Sequence, residues 1–133
     1  MISFFFNSLM EHLATEDLTK YQMFIIEKRT QQKKYSEICD LFLEKFEIIL
    51  YDNKLCTALR RASVGYSWAP GMAGGQDPYL CSHDMEELKS AIKDSIEIGY
   101  PMDCMDILDE AQKIKFNRIQ NAIEFLRCIN CLR

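Results

Sequence analysis

Helix-breaking residues are confined to two places in this chain. Four of its five Gly and two of its three Pro fall within residues 63–78. Gly99 and Pro101 make up the rest. Elsewhere nothing removes a backbone N–H or demands a left-handed conformation, so long stretches are free to run as helix. A chain of 133 residues divided this way suits one ordinary domain, or two small helical units packed together. Its hydrophobic fraction of 48% is enough for a real core. The expectation is an all-α protein. Residues 15–62 and 79–133 form two helical units, 63–78 is a Gly/Pro-rich linker, and 1–14 is an apolar N-terminal helix or docking segment.

Apolar periodicity fills in the helices. Thr15 is a candidate cap, with Glu16 and Asp17 at the positive end of the helix dipole. Leu18, Tyr21, Phe24 and Ile25 then form a stripe, which fades into a polar, basic connector at 29–34. A second stripe runs through Tyr35, Ile38, Cys39, Phe42 and Phe46, with Ser36 as its candidate cap. Ile48, Ile49 and Leu50 read as a buried turn or extended linker. Asp52 and Asn53 are good caps for a third helix, in which Leu55 and Leu59 face inward. Lys54, Thr57, Arg60 and Arg61 are left facing outward.

Past the linker, Ser82 or Asp84 caps a long helix with Met85, Leu88, Ile92 and Ile96 as its stripe. Gly99 ends it and Pro101 follows as a stop. Asp103 caps a fourth helix carrying Ile107, Leu108, Ala111 and Ile114. A last segment over 117–132 places Ile119, Ala122, Ile123, Leu126 and Ile129 on one face. Because this segment is still apolar where it stops, the chain is expected to be a fragment of a longer one.

The start, MISFFFNSLM, has no Lys or Arg before its apolar run and no small-residue cleavage site, which argues against a secretory leader. The run is far shorter than the ~20 apolar residues of a membrane span. It reads as a short amphipathic helix, with Phe4, Phe5, Leu9 and Leu13 available to dock. Without a secretion signal, the six cysteines are expected as reduced thiols, with Cys39, Cys56 and Cys104 as small core residues.

The arrangement over residues 18–61 is helix, connector, helix, turn, helix. In a helix-turn-helix the third helix lies in the major groove while the second crosses the backbone. The third helix here carries matching chemistry. Asn53 suits an adenine edge, and Arg60 or Arg61 suits guanine or phosphate. Lys33 and Lys34, at the entry to the middle helix, suit phosphates. The candidate DNA-binding residues are therefore Lys33, Lys34, Asn53, Lys54, Thr57, Arg60 and Arg61. The plainer alternative is a three-helix bundle with a solvated basic face.

The succession Tyr35-Ser36-Glu37-Ile38-Cys39, Phe42, Phe46, Asn53-x-Leu55 and Leu59-Arg60-Arg61 resembles the first DNA-binding unit of pogo-like and centromere protein B-like transposase-derived proteins. The second half adds Tyr79-Leu80, Leu88, Ile92, Gly99-Tyr100-Pro101 and Asp106-Ile107-x-x-x-Ala111, which resembles that family's second unit. The Gly-rich segment sits where the family joins the two. The resemblance covers most of residues 18–115. It implies tandem helix-turn-helix-like, homeodomain-like units, duplex DNA as ligand, and a nuclear or mobile-element origin. Any transposase catalytic domain would lie beyond this chain.

Charge pulls the other way. Residues 15–66 hold nine Lys/Arg against eight Asp/Glu, but residues 67–133 hold seven against eleven, and the whole chain carries −4. Nucleic-acid binders usually show basic excess. The competing expectation is a helical protein–protein interaction module, docking or self-associating through the N-terminal helix, the Cys131-Leu132 end and the acidic second half.

Other chemistry is sparse. Cys81-x-His83 with Cys128-x-x-Cys131 makes a conceivable Cys3His zinc set, but Cys-x-His is an unusual half-site, so no metal or cofactor is expected. The acidic run Asp103, Asp106, Asp109 and Glu110 reads as capping plus a solvated face. Gly71-x-x-Gly74-Gly75 lacks the Lys-Ser/Thr ending of a phosphate loop. With two His and no Ser/His/Asp spacing, no enzyme is expected.

Overall fold

A computed structural model describes Met10, residues 13–72 and residues 75–130. Phe4, Phe5, Leu9, His12, Cys131 and Leu132 lie outside the described residues. Among the described residues the protein is all-α, with five helices and no strand. They are α1 (Lys20–Thr30), α2 (Tyr35–Phe46), α3 (Asp52–Ser63), α4 (Ser82–Glu97) and α5 (Cys104–Asn130). None is long and apolar enough to cross a membrane.

Local hydrogen bonding decides where each helix starts. The cap of α1 is Thr19, four residues later than expected. Its hydroxyl accepts the Gln22 N–H at 3.3 Å, and the Gln22 side chain accepts the Thr19 N–H at 3.1 Å. A box at Thr15 would need Glu or Gln at position 18, which is Leu, so only Thr19 closes the reciprocal pair. Helix α2 starts one residue before Ser36, because the Glu37 carboxylate reaches back to accept the Lys34 N–H at 3.2 Å. In α3 the cap is Tyr51, and Asp52 sits inside the first turn, where its charge meets the dipole. At α4 the cap is Cys81 rather than Ser82 or Asp84.

The largest difference lies at the end. The expected fourth helix and the 117–132 segment are one 27-residue helix, α5. No Gly or Pro interrupts residues 102–130, so nothing ends the first helix. Asp103 and Asp106 cap the entry reciprocally, each carboxylate accepting the other residue's N–H, at 2.9 and 3.3 Å. The phase set by Ala111 and Ile114 carries through Arg118, Ala122, Phe125 and Ile129, which are buried. Ile119 and Ile123, expected on the inner face, are exposed, as are Leu108 and, on α4, Ile96.

Two apolar clusters result. The larger gathers Phe24, Ile25 and Ile26 of α1, Ile38 and Phe42 of α2, and Leu55, Ala58, Leu59 and Ala62 of α3. Phe125 and Ile129 from α5 complete it. Tyr21, Phe24, Phe42 and Phe46 stack within it, with ring centroids 4.7–6.0 Å apart. Leu13 and Trp68 close its sides. The smaller cluster sets Leu80 and Leu88 against Ala111 and Ile114. Helix α5 is thus common to both, packing on α3 with one half and on α4 with the other.

The Gly/Pro-rich stretch is held against this body. Trp68 is buried, and its carbonyl accepts the Thr19 hydroxyl at 2.5 Å. Buried Gln22 donates to the carbonyls of Ala58 and Tyr66 at 3.2 and 3.0 Å. Gly65 has φ +86°, and an added Cβ would lie 2.8 Å from Cys81 Sγ. Only glycine fits both the conformation and the gap.

Candidate nucleic-acid interface

Helix α3 is sharply two-sided. Leu55, Ala58, Leu59, Ala62 and Ser63 are buried, and Asn53, Lys54, Cys56 and Arg60 are exposed. Thr57 lies half-buried between them, its hydroxyl donating to the Asn53 carbonyl at 2.9 Å. At 3.6 residues per turn, Asn53, Thr57 and Arg60 fall on one line down the outward face. Lys54 lies to one side of that line and Cys56 to the other.

The entry to α2 lies on the same side of the bundle. Tyr35 borders Cys56 and Asp52, and the Cys39 thiol points at Asp52 Oδ1, 3.7 Å away. Lys34, exposed, immediately precedes Tyr35. Lys33 is half-buried, and its carbonyl accepts Arg29 Nη1 at 2.8 Å, which fixes the turn. Burial and the Asp52 carboxylate together push the Cys39 thiol up to about 11, so it stays protonated near neutrality. The end of α5 abuts this corner, where Asn130 Oδ1 accepts the Tyr35 hydroxyl at 2.7 Å.

Arg61 is placed differently from the other six candidates. Its guanidinium forks onto Asp77, at 2.7 and 2.9 Å, and its Nε donates to the Ser67 carbonyl at 2.6 Å. The group lies over the Tyr66 ring, 5.6 Å from its centroid. The Arg61 hydrogen bond holds the Asp77 carboxyl below its ordinary range. Arg61 thus serves as a clamp between α3 and the linker, a role that nothing local in the sequence signals. Lys115 adds to the fastening from α5, above the rings of Tyr66 and Tyr79.

Among the described residues of the zinc set, Cys128 does not join Cys81 and His83, and Cys131 lies outside them. Cys81 is buried beside Asp84 and Arg118, and His83 Nδ1 lies 3.0 Å from Glu16 Oε1. Cys128 lies ten residues beyond Arg118 on α5, about 15 Å along a helix rising 1.5 Å per residue. Zinc ligands must converge to bonds of roughly 2.0–2.3 Å. His83, Asp84 and Glu87 place their ligand atoms within 4.8 Å of one another, but Asp84 is already bound by Arg118 at 2.8 and 3.0 Å. A guanidinium inside that cluster opposes a cation.

Compared with protein-family models, with curated proteins and with solved structures, the chain matches none.

Proposed function

We propose that this protein binds duplex DNA through the outward face of α3. The observation that carries the reading is the two-sidedness of that helix. A trihelical body of α1, α2 and α3 buries one face of its third helix and offers Asn53, Lys54, Thr57 and Arg60 on the other. Asn and Arg can form paired hydrogen bonds to adenine and guanine edges in the major groove. Lys33 and Lys34, at the start of α2, serve as phosphate contacts in the manner of the middle helix of a helix-turn-helix. Arg61 is left out of the contact set, because Asp77 and Ser67 take three of its five N–H donors and hold the group against the linker. The resemblance to pogo-like and centromere protein B-like units supports the same reading, and with it a nuclear setting and a role as a binding module rather than a catalyst.

A salt titration against mixed-sequence duplex is the test. With Lys33 and Lys34 on phosphates and Lys54 beside them as a third cation, log K should fall against log salt with a slope of roughly −2 to −3. Arg60→Ala should cost about 1–3 kcal/mol on a preferred sequence, whereas Lys34→Ala should weaken all sequences alike and flatten the slope by about 1. A control pair, Lys89→Ala with Lys93→Ala on α4, should change little. Absence of duplex binding at low salt would sink the reading. The net charge of −4 and the exposed apolar side chains of α5 favour the second reading, a helical protein-interaction module.

A further inference from the structure

Helix α5 carries two apolar stripes, and the fold uses one. The inner stripe, Ala111, Ile114, Ala122, Phe125 and Ile129, is buried. The second is Met105, Leu108, Phe116, Ile119 and Ile123, each between 40% and 63% exposed. Taken at about 100° per residue, it centres roughly 120° around the helix from the first. It runs for about 27 Å along α5, at 1.5 Å per residue. Large apolar side chains grouped in a ridge on the surface mark an association site more often than scattered ones do, and Gln112, exposed on the same line, interrupts this one between Leu108 and Phe116.

The charges beside the ridge say what covers it. Asp109, Lys113, Glu124 and Arg127 lie along its solvent-side flank, all exposed, and none forms an ion pair among the described residues. Their order is acid, base, acid, base. When two such helices lie antiparallel, one flank faces the same flank of its copy in reverse. Asp109 then stands opposite Arg127, and Lys113 opposite Glu124, in both directions. The first pair is centred on residue 118 and the second half a residue further, so a single register satisfies both. Phe116 and Ile119 straddle the same centre and pack against each other's copies. A parallel pair would instead turn this flank toward the opposite flank of its copy, so that these four charges would not meet one another.

We propose that α5 is the dimerisation helix of this protein, pairing antiparallel with α5 of a second copy about a twofold axis near residue 118. The five ridge residues supply on the order of 500 Å² of apolar area per copy, and their polar flanks bring the patch toward the roughly 800 Å² per partner of a standard interface. The interface is isologous, as a twofold dimer requires. It rests on α5 alone, so it stands or falls independently of DNA binding.

Sedimentation velocity of the intact chain, from about 1 to 100 μM at low and moderate salt, tests this. The expected result is a monomer–dimer equilibrium that Phe116→Glu with Ile119→Glu abolishes, with helical circular dichroism unchanged. Charge reversal reads the register. Lys113→Glu alone and Glu124→Lys alone should each weaken the dimer several-fold, and the double variant should restore it. The two residues are eleven apart on one helix, too far to touch within a copy, so restoration must act between copies. A chain that stays monomeric at 100 μM overturns the proposal. So does a dimer indifferent to the ridge substitutions, or a double variant weaker than either single one.

Discussion

Burying Asp84 strips water from its carboxylate, which by itself raises the pKa. The Arg118 guanidinium more than offsets this through two hydrogen bonds and its charge, so the net shift is downward. The sign of the pH effect follows. A carboxyl lowered in the folded state contributes stability above its unfolded pKa of about 3.9, and that contribution disappears as pH falls through the folded value. The urea midpoint should therefore drop between about pH 5 and pH 3, and should drop less in Asp84→Asn. At neutral pH that variant removes the carboxylate that accepts two hydrogen bonds from Arg118, and breaking a buried pair costs about 3–5 kcal/mol, whereas Asp84→Leu with Arg118→Met should recover most of it. An Asp84→Asn protein as stable as the parent would show that the pair is incidental. Neither partner was legible as a pair in the sequence. They stand 34 positions apart, and Asp84 read as a cap for α4. Arg61 likewise meets a partner that no local pattern signals, Asp77 of the linker. By contrast, Thr19-x-x-Gln22 is a capping box legible in the sequence, since its partners stand three residues apart.

Helix α5 shows how far periodicity reaches at the element scale. Both of its stripes fall at spacings of three, four and eight residues, so each keeps to one face of the helix. Which one turns inward is set by where α3 and α4 lie. Taken as a separate segment, residues 117–132 leave the phase free, and only the continuity of α5 with Ala111 and Ile114 turns Ile119 and Ile123 outward. Phe125 and Phe116 separate the stripes in a single experiment. Phe125→Ala should cost about 3–5 kcal/mol in chemical denaturation, because it opens a cavity in the larger cluster. Phe116→Ala should change the stability of the monomer by no more than about 0.5 kcal/mol, as a surface change does. Equal losses would mean that the buried face has been misassigned. Helix α3 needed no such arbitration. Leu55 and Leu59 predicted its inner face, and the structure buries both along with Ala58 and Ala62.

At the scale of the whole molecule, the two stretches separated by the linker share a core. Phe125 and Ile129 lie among side chains of α1, α2 and α3, so the second half cannot detach without opening the first. Unfolding should accordingly be cooperative. Trp68, the single tryptophan, is buried in the linker and reports on its docking. Its fluorescence and the far-ultraviolet circular dichroism should give coincident urea transitions. An earlier loss of the Trp68 signal would mean that the linker opens first. Sequence alone determined that the chain is helical, where the breakers stop its helices, and which face of α3 turns inward. These properties are local, set by backbone freedom and by apolar spacing within a few turns. Tertiary structure decided that α5 is continuous into the first bundle, that Arg61 holds the linker, that Asp84 meets Arg118, and which stripe of α5 remains outside. Each of these depends on groups far apart in the chain, whose meeting is fixed only when the helices pack and desolvation selects the pairs that can satisfy one another.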